Sequence, residues 1–398
     1  MKYPITPDYI QRMPDKLQRL YLALEEYILN DISQRFIDAE AAQNTALEKI
    51  RELQRRGYSL KDIENYIKEF TGLTDSEFND IMDDAVARNQ RYYSYVISQA
   101  DIVNETFDKA MMDAEIKAIT EQTQGTLQNI TQSLGFSIKR NGKTVFMPIA
   151  DAYQKVLDDA ALKVWSGGES YNTAIQDATN QLTQSGLRTI IWQKEDANGN
   201  IRVHTDHADV AARRAVMTSI VQISGKYSDA LMEETETPYM EITAHQGARD
   251  KEKAGVPWAS HKAWQGKVYS KKSGDIYPNV YSVCGWGDVE GLEGANCRHM
   301  HYPWFEGISE RTYTDEQLQN IDPAPFKFQG REYSAYQATQ KMRQIERNIR
   351  KLKRMRDGYD KDSDGYKELN IKVKRLFKEY SDFSKVSGIP KQIARTYI

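Results

Sequence analysis

The sequence predicts an α+β protein, with a helical N-terminal unit at 1–130, a mixed α/β, loop-rich central domain at 131–322 and a C-terminal helical hairpin at 323–398. Three observations predict it. Apolar residues in the first third recur at three- and four-residue spacing; Asn-Gly pairs between short β-prone runs appear after residue 130; helical periodicity returns beyond Pro323 and Pro325, now with many basic residues. A chain of 398 residues also exceeds what one hydrophobic core usually organises.

Leu17, Leu20, Tyr21, Leu24, Ile28 and Ile32 form one stripe of a helix beginning near Pro14 and Asp15. A second helix is expected from about Ala41 to Arg56, stopped by Gly57, and a third starts at Ser59 or Asp62 and ends at Gly72. Thr74 and Glu77 read as a capping box opening a helix that carries Phe78, Ile81, Val86, Tyr93 and Val96; helical periodicity continues to about Thr123. Phe136 to Met147 is a hairpin turned at Asn141-Gly142, because that dipeptide accepts the positive φ angles of a tight turn. Residues 150–187 are helical with a break at Gly167-Gly168, and Thr189 to Val203 makes another hairpin at Asn198-Gly199. Thr205 or Asp206 caps a helix reaching Ser224, and Tyr239 to Ala244 is a strand by its β-branched and aromatic alternation. From His245 to Gly307, Gly, Trp and Tyr abound without periodicity, so loops dominate and specific contacts are expected there. Tyr336, Met342, Ile345, Ile349 and Leu352 stripe one last helix, and a second from about Tyr366 to Phe383 pairs with it antiparallel.

Composition narrows the function classes. The hydrophobic fraction is 40% and the charged fraction 28%, ordinary for a globular protein, while a mean hydropathy of −0.70 implies much exposed helix surface. No apolar run approaches the roughly 20 residues of a membrane span, and Met1 to Met13 has no signal-peptide pattern. Two cysteines, Cys284 and Cys297, make no disulfide framework and fit synthesis in a reducing cytoplasm. A net charge of −3 excludes a general polycation, but residues 1–130 carry 15 Lys+Arg against 23 Asp+Glu (15 − 23 = −8) and residues 331–356 carry 9 against 2 (9 − 2 = +7). The two ends are suited to different partners.

All six histidines and both cysteines lie between His204 and His301. Cys297, His299 and His301 alternate, so on an extended segment they share a face where Cys284 supplies a fourth zinc ligand; without a CxxC or helical HxxxH pair, packed side chains are the main reading and zinc the lesser. His245, Arg249 and His261 are the sharpest enzymatic constellation, two imidazoles and a guanidinium able to work on a phosphodiester as in a nuclease-like or toxin-like factor. Against it stands the plainer role of tying loops by hydrogen bonds. Walker, GxSxG and HExxH motifs are absent. Asp360, Asp362, Asp364 and Gly365 open like an EF-hand calcium loop, but its twelfth position is Ile371 instead of Glu, so a solvated turn is expected. Arg343, Arg347, Arg350, Lys351, Lys353, Arg354 and Arg356 spread round a helix and are either a solvated basic face or a contact to DNA phosphates or an acidic partner.

Taken together, these segments resemble the phage minor capsid protein 2 family, itself distantly similar in role to the Mu F-like head proteins. The resemblance rests on His245-Gln246-Gly247-Ala248-Arg249, on His261 to Tyr269 with its Trp264-Gln265-Gly266-Lys267 core, on Tyr281 to Gly294, on Asn296-Cys297-Arg298-His299, and on Tyr302-Pro303-Trp304 running to Arg311. Gly287-Asp288-Val289-Glu290 departs from a more glycine-rich loop. The resemblance implies a minor head protein of a tailed phage, made in the host cytoplasm and carried in the virion. Its expected partners are the portal protein and other head proteins, with packaged DNA a further candidate and no membrane in the assembled head. It implies association with the portal, head assembly or DNA delivery and carries over no established catalytic residue; no cofactor is expected, with zinc or calcium the lesser alternatives. The acidic N-terminal helices are expected to dock on the portal, while Trp258, Trp264, Trp286 and Trp304 bury area in a scaffold cross-linked by Arg249, Arg298 and the histidines.

Overall fold

Leu17, Tyr21, Leu24, Ile28 and Ile32 are all buried, on a helix running from Asp15 to Ala41 (α2). Before it, α1 (Pro7–Arg12) is opened by Thr6, whose hydroxyl accepts from the Tyr9 amide, with Pro7 at the first position. The computed structural model describes residues 3–41, 45–57, 60–100, 108–140, 142–195, 201–359 and 361–397. Because α2 still buries Phe36 and Ala39 near its end, it continues to Ala41, and α3 (Ala46–Gly57) starts later than the expected Ala41.

The larger departure is α4 (Lys61–Gln99), one uninterrupted helix through the expected stop at Gly72 and the expected capping box at Thr74 and Glu77. Ile63, Phe70, Phe78, Ile81, Ala85 and Tyr93 make a continuous buried face, and their burial outweighs the roughly 1 kcal/mol that an interior glycine costs. Thr74 instead donates its hydroxyl to the Thr71 carbonyl at 2.9 Å, and Glu77 pairs with Lys16. Leu60 stands at the N-cap without a side-chain bond, and Ser59 falls outside the described residues. Next, α5 (Lys109–Gln132) is capped by Asp108 and runs beyond Thr123 and across the 130/131 division.

Both expected strand pairs form, while Asn141 of the first turn and residues 196–200, which include Asn198-Gly199 of the second, lie outside the described residues. β1 (Leu134–Arg140) and β2 (Lys143–Pro148) pair antiparallel, then α6 (Ile149–Trp165) and α7 (Tyr171–Ser185) flank the Gly167-Gly168 break. β3 (Arg188–Glu195) and β4 (Ile201–His207) complete a sheet of order β2-β1-β3-β4.

Thr205 and Asp206 belong to β4 and do not cap the following helix, α8 (Ala208–Glu234), whose N-cap is His207. That helix also passes the expected end at Ser224, because it is buried on several sides: α1, α2, α4 and α5 all pack on it, and Tyr227, Leu231 and Met232 lie beyond Ser224 in the core. β5 (Tyr239–Ile242) is the middle strand of a second sheet, between β6 (Val268–Ser270) and β7 (His301–Pro303). Loops and the short helices α9 (His261–Trp264) and α10 (Val280–Cys284) fill the rest of 245–307. After α11 (Asp315–Gln319), a small unpredicted hairpin, β8 (Phe326–Phe328) and β9 (Arg331–Tyr333), leads to the antiparallel pair α12 (Ala335–Asp357) and α13 (Asp364–Ser387).

One apolar core draws residues from Ile5 to Tyr302, so segments 1–130 and 131–322 share it; smaller clusters surround Trp264 and fill the α12–α13 pair. Polar links join the first residues to the last: Arg354 of α12 pairs with Glu25 of α2, and Arg395 lies 3.5 Å from Asp15. The class is α+β, with helices dominant and strands confined to small antiparallel sheets.

Candidate functional site

Segments from several parts of the chain converge on one cavity of about 370 Å³. The loops of the second sheet bring His245, Arg249, His261, Arg298 and His299; α8 brings Asp209, Arg213 and Arg214; α12 brings Arg343, Glu346, Arg347 and Arg350; Arg395 closes it from the C-terminal end. Eight arginines therefore face two carboxylates. The enzymatic candidates His245, Arg249 and His261 and the first three residues of the basic series thus share one site.

The local fold explains why the loops hold these residues in place. Gly266 has φ +70, and a Cβ there would press on Ala244 at 3.1 Å and force the Leu318 side chain aside, so the turn after Trp264-Gln265 favours glycine. Trp264 is fully buried and donates its indole N–H to the Trp258 carbonyl at 3.1 Å. Gln265 is also buried; its Oε1 accepts from the His245 amide and bonds His299 Nε2, both at 3.0 Å. Arg249 donates to the carbonyls of Glu290 and Ala295, which fixes the loop before Cys297. Pro303 ends β7 against Met240, and Asn296, at φ 59, accepts from Arg214 at 3.3 Å.

Electrostatically the cavity is a concentration of positive charge held by burial. Arg298 is pushed down to about 10 by burial and by Arg343 and Arg213 nearby, and Arg213 also falls to about 10 through burial and Arg395, despite its bond to Asp15 at 2.5 Å. Burial and Arg395 lower Arg343 too. Arg350, only 5% exposed, donates to the Arg395 carbonyl at 2.6 Å and faces Asp209 at 3.5 Å, while its Nε has no partner among the described residues. Such a lining has the size of a small-ligand site and the charge to hold an anion.

The imidazoles here are neutral at neutral pH. Burial, then Arg298, takes His245 down to about 3; burial, then Arg249, takes His261 down to about 4; burial and its cationic neighbours hold His299 well below the usual range. Acid–base catalysis by a histidine pair calls for one protonated member near working pH, which this electrostatic setting opposes.

The predicted zinc tetrad is not brought together. Cys284 is buried beside Tyr269 in the same small core but does not join the ligand group, and His301 forms an ion pair with Glu293 at 2.7 Å and approaches Asp229 at 3.6 Å. Although burial opposes its charge, Glu293 and Asp229 raise His301 to about 9, and its Nδ1 is engaged by Glu293. The alternation ends at His299, and the third group beside Cys297 and His299 is His261, with all three ligand atoms within 4.8 Å of one another. Sequence spacing missed this partner, 36 residues upstream of Cys297, because only the fold of the loops between them brings it near.

The rest of the basic series is not a solvated face. Arg354 is 7% exposed and paired with Glu25, Lys353 donates to the Thr396 carbonyl at 2.8 Å, Arg356 pairs with Asp357 at 2.6 Å, and Lys351 is half-buried away from the cavity. In the run resembling an EF-hand, Asp360 lies outside the described residues, while Asp364 and Gly365 form the first turn of α13, capped by Ser363. Exposed Ile371 stands in the same helix.

Comparison with known proteins places these features. A family model described as phage minor capsid protein 2 matches residues 5–383. A structural protein of Lactococcus phage LL-H is 24% identical over 367 residues, covering 86% of this chain and 87% of the relative. No solved structure matches.

Proposed function

The chain belongs to the phage minor capsid protein 2 family, and from that premise we propose that this structural protein of a bacteriophage capsid acts by binding, docked beside the portal of a tailed phage head. One observation supports the docking. α4 spans 39 residues, about 58 Å at helical rise, and while one face lies in the core, Asp62, Glu64, Glu69, Asp80 and Asp83 stand exposed along it. Exposed Lys61, Lys68 and Arg91 interrupt these five carboxylates but leave the exposed side of the helix net acidic, which suits a partner with a basic surface, with charge guiding orientation more than setting affinity. Among the described residues no helix is long and apolar enough to cross a membrane.

The test is co-expression with the portal protein of the same phage, followed by size-exclusion chromatography with light scattering. The wild-type chain co-migrates with portal at a fixed stoichiometry, and replacing those five carboxylates by Lys abolishes co-migration while circular dichroism is unchanged. A monomer that ignores the portal overturns the reading. Deleting residues 1–130 would be uninformative, since that segment shares the main core with the rest.

The arginine-lined cavity favours a second contact, with phosphate-bearing ligands such as the packaged genome. At about 370 Å³ it takes a phosphate group or an acidic side chain, not the body of a duplex, and exposed Arg347 stands at its edge. DNA affinity that falls steeply with added salt, with a slope reduced in an Arg343→Gln/Arg347→Gln protein, would support that contact. A flat salt dependence removes it. Delivery of DNA during ejection, as a further role, would follow from the same contact.

A further inference from the structure

The three groups His261, Cys297 and His299 are 2%, 3% and 1% exposed, and their hydrogen-bond roles can be assigned from their partners. His261 Nε2 lies 2.9 Å from the Glu290 carbonyl, which can only accept, so this nitrogen carries the proton. His299 Nε2 lies 3.0 Å from Gln265 Oε1, an atom fixed as oxygen by the His245 amide that donates to it, so this nitrogen carries its proton too. Both Nδ1 atoms are then bare lone pairs. Both point at one sulfur: Cys297 Sγ is 3.7 Å from His261 Nδ1 and 3.5 Å from His299 Nδ1.

A neutral thiol has one hydrogen. Whether it goes to one imidazole or to the His299 carbonyl 3.9 Å away, at least one buried nitrogen is left facing sulfur without a donor. Leaving a buried acceptor unmade costs about 1–3 kcal/mol, and native interiors seldom do so. A cation bound by all three lone pairs removes the conflict. Zinc–sulfur and zinc–nitrogen bonds of about 2.3 and 2.0–2.1 Å at a tetrahedral angle give a sulfur-to-nitrogen edge of about 3.5 Å. The observed separations match that edge; only the two imidazoles need rotate towards each other. The outer groups are also those of a metal site: each ring's far N–H is held by a carbonyl-type oxygen, and the His299 amide donates to Sγ at 3.4 Å.

We propose that His261 Nδ1, Cys297 Sγ and His299 Nδ1 bind one zinc ion, with the fourth position directed to the arginine-lined cavity. On binding, the thiol loses its proton to solvent and the sulfur donates its lone pair to the ion, leaving a unit of charge +1. The surrounding arginines stabilise the thiolate and select water or an anion as the fourth ligand. The ion ties α9 and the Asn296 to His299 segment together, where the apolar cluster around Trp264 is small.

The experiment is metal analysis of the full chain purified through a histidine-free tag, paired with cobalt reconstitution of chelator-stripped protein. The wild type carries about one zinc per chain, and its cobalt form shows the visible bands of a tetrahedral site with a thiolate charge-transfer band. Cys297→Ser and His299→Gln lose the zinc, Cys297→Ser loses the charge-transfer band, and Cys284→Ala keeps both. The proposal is overturned if the folded wild type holds no stoichiometric metal and gives no thiolate–cobalt band, or if Cys297→Ser retains zinc at the wild-type level. Copper or iron at the site would overturn the assignment to zinc.

Discussion

At the scale of single residues, burial decides which charges this protein can carry, and His207 shows the consequence away from the cavity. It sits at the start of α8, its Nε2 3.5 Å from Arg188, and burial holds its pKa below the ordinary 6.5 although Glu25 and Asp209 pull the other way. The folded protein therefore binds fewer protons here than the unfolded chain once pH drops below 6.5. Stability rises with pH wherever the unfolded state binds more protons, so this contribution is intact above 6.5 and is lost as pH falls towards the depressed folded value. His207→Asn keeps a residue suited to an N-cap and cannot titrate. Its melting temperature is expected to fall less than that of the wild type between pH 7 and pH 5; parallel curves would show that His207 is not buried neutral.

At the scale of elements, helices end where burial ends, and local stop signals yield to it. Gly72 and the Thr74/Glu77 pair look like a helix stop and start, yet α4 runs through them, and a Cβ added at Gly72 would meet nothing within 4 Å. Gly72→Ala should therefore stabilise the protein by about 1 kcal/mol, read as a higher urea midpoint with an unchanged slope. A neutral or destabilising result would mean that the helix breaks there after all. The hairpins behave differently because their signal is chemical and local. Gly142, at φ 75, occupies the left-handed region that the Asn-Gly pair predicts, and β1 and β2 pair in register on both sides of it.

At the scale of the whole molecule, the C-terminal pair is clamped to the first long helix by a buried ion pair. Arg354 and Glu25 have side chains 6% and 8% exposed, and Glu25 also accepts from the Leu187 amide at 2.6 Å. Removing one member strands the other, so Arg354→Met should cost about 3–5 kcal/mol in chemical denaturation at pH 7, and adding Glu25→Gln should restore part of the loss. A loss of under about 1 kcal/mol would show that the clamp does not hold the two ends together. The same clamp positions α12 so that Arg343, Arg347 and Arg350 reach the histidine loops, which is how assembly of the ends creates the cavity.

By itself the sequence determined the α+β class, the α2 stripe, the two strand pairs around residues 141 and 196–200, the α12–α13 pair and the family, because each depends on neighbours a few residues apart or on a contiguous motif. It also confined the reactive residues to one window, 204–301. Only the tertiary structure decided that His261 and not Cys284 or His301 meets Cys297 and His299, and that half of a basic helix faces a cavity while Arg354 is sealed in an ion pair. It also decided that α4 and α8 outrun their stop signals. Such outcomes turn on which surfaces pack across hundreds of residues, where burial and charge pairing outweigh the local preferences that a sequence displays.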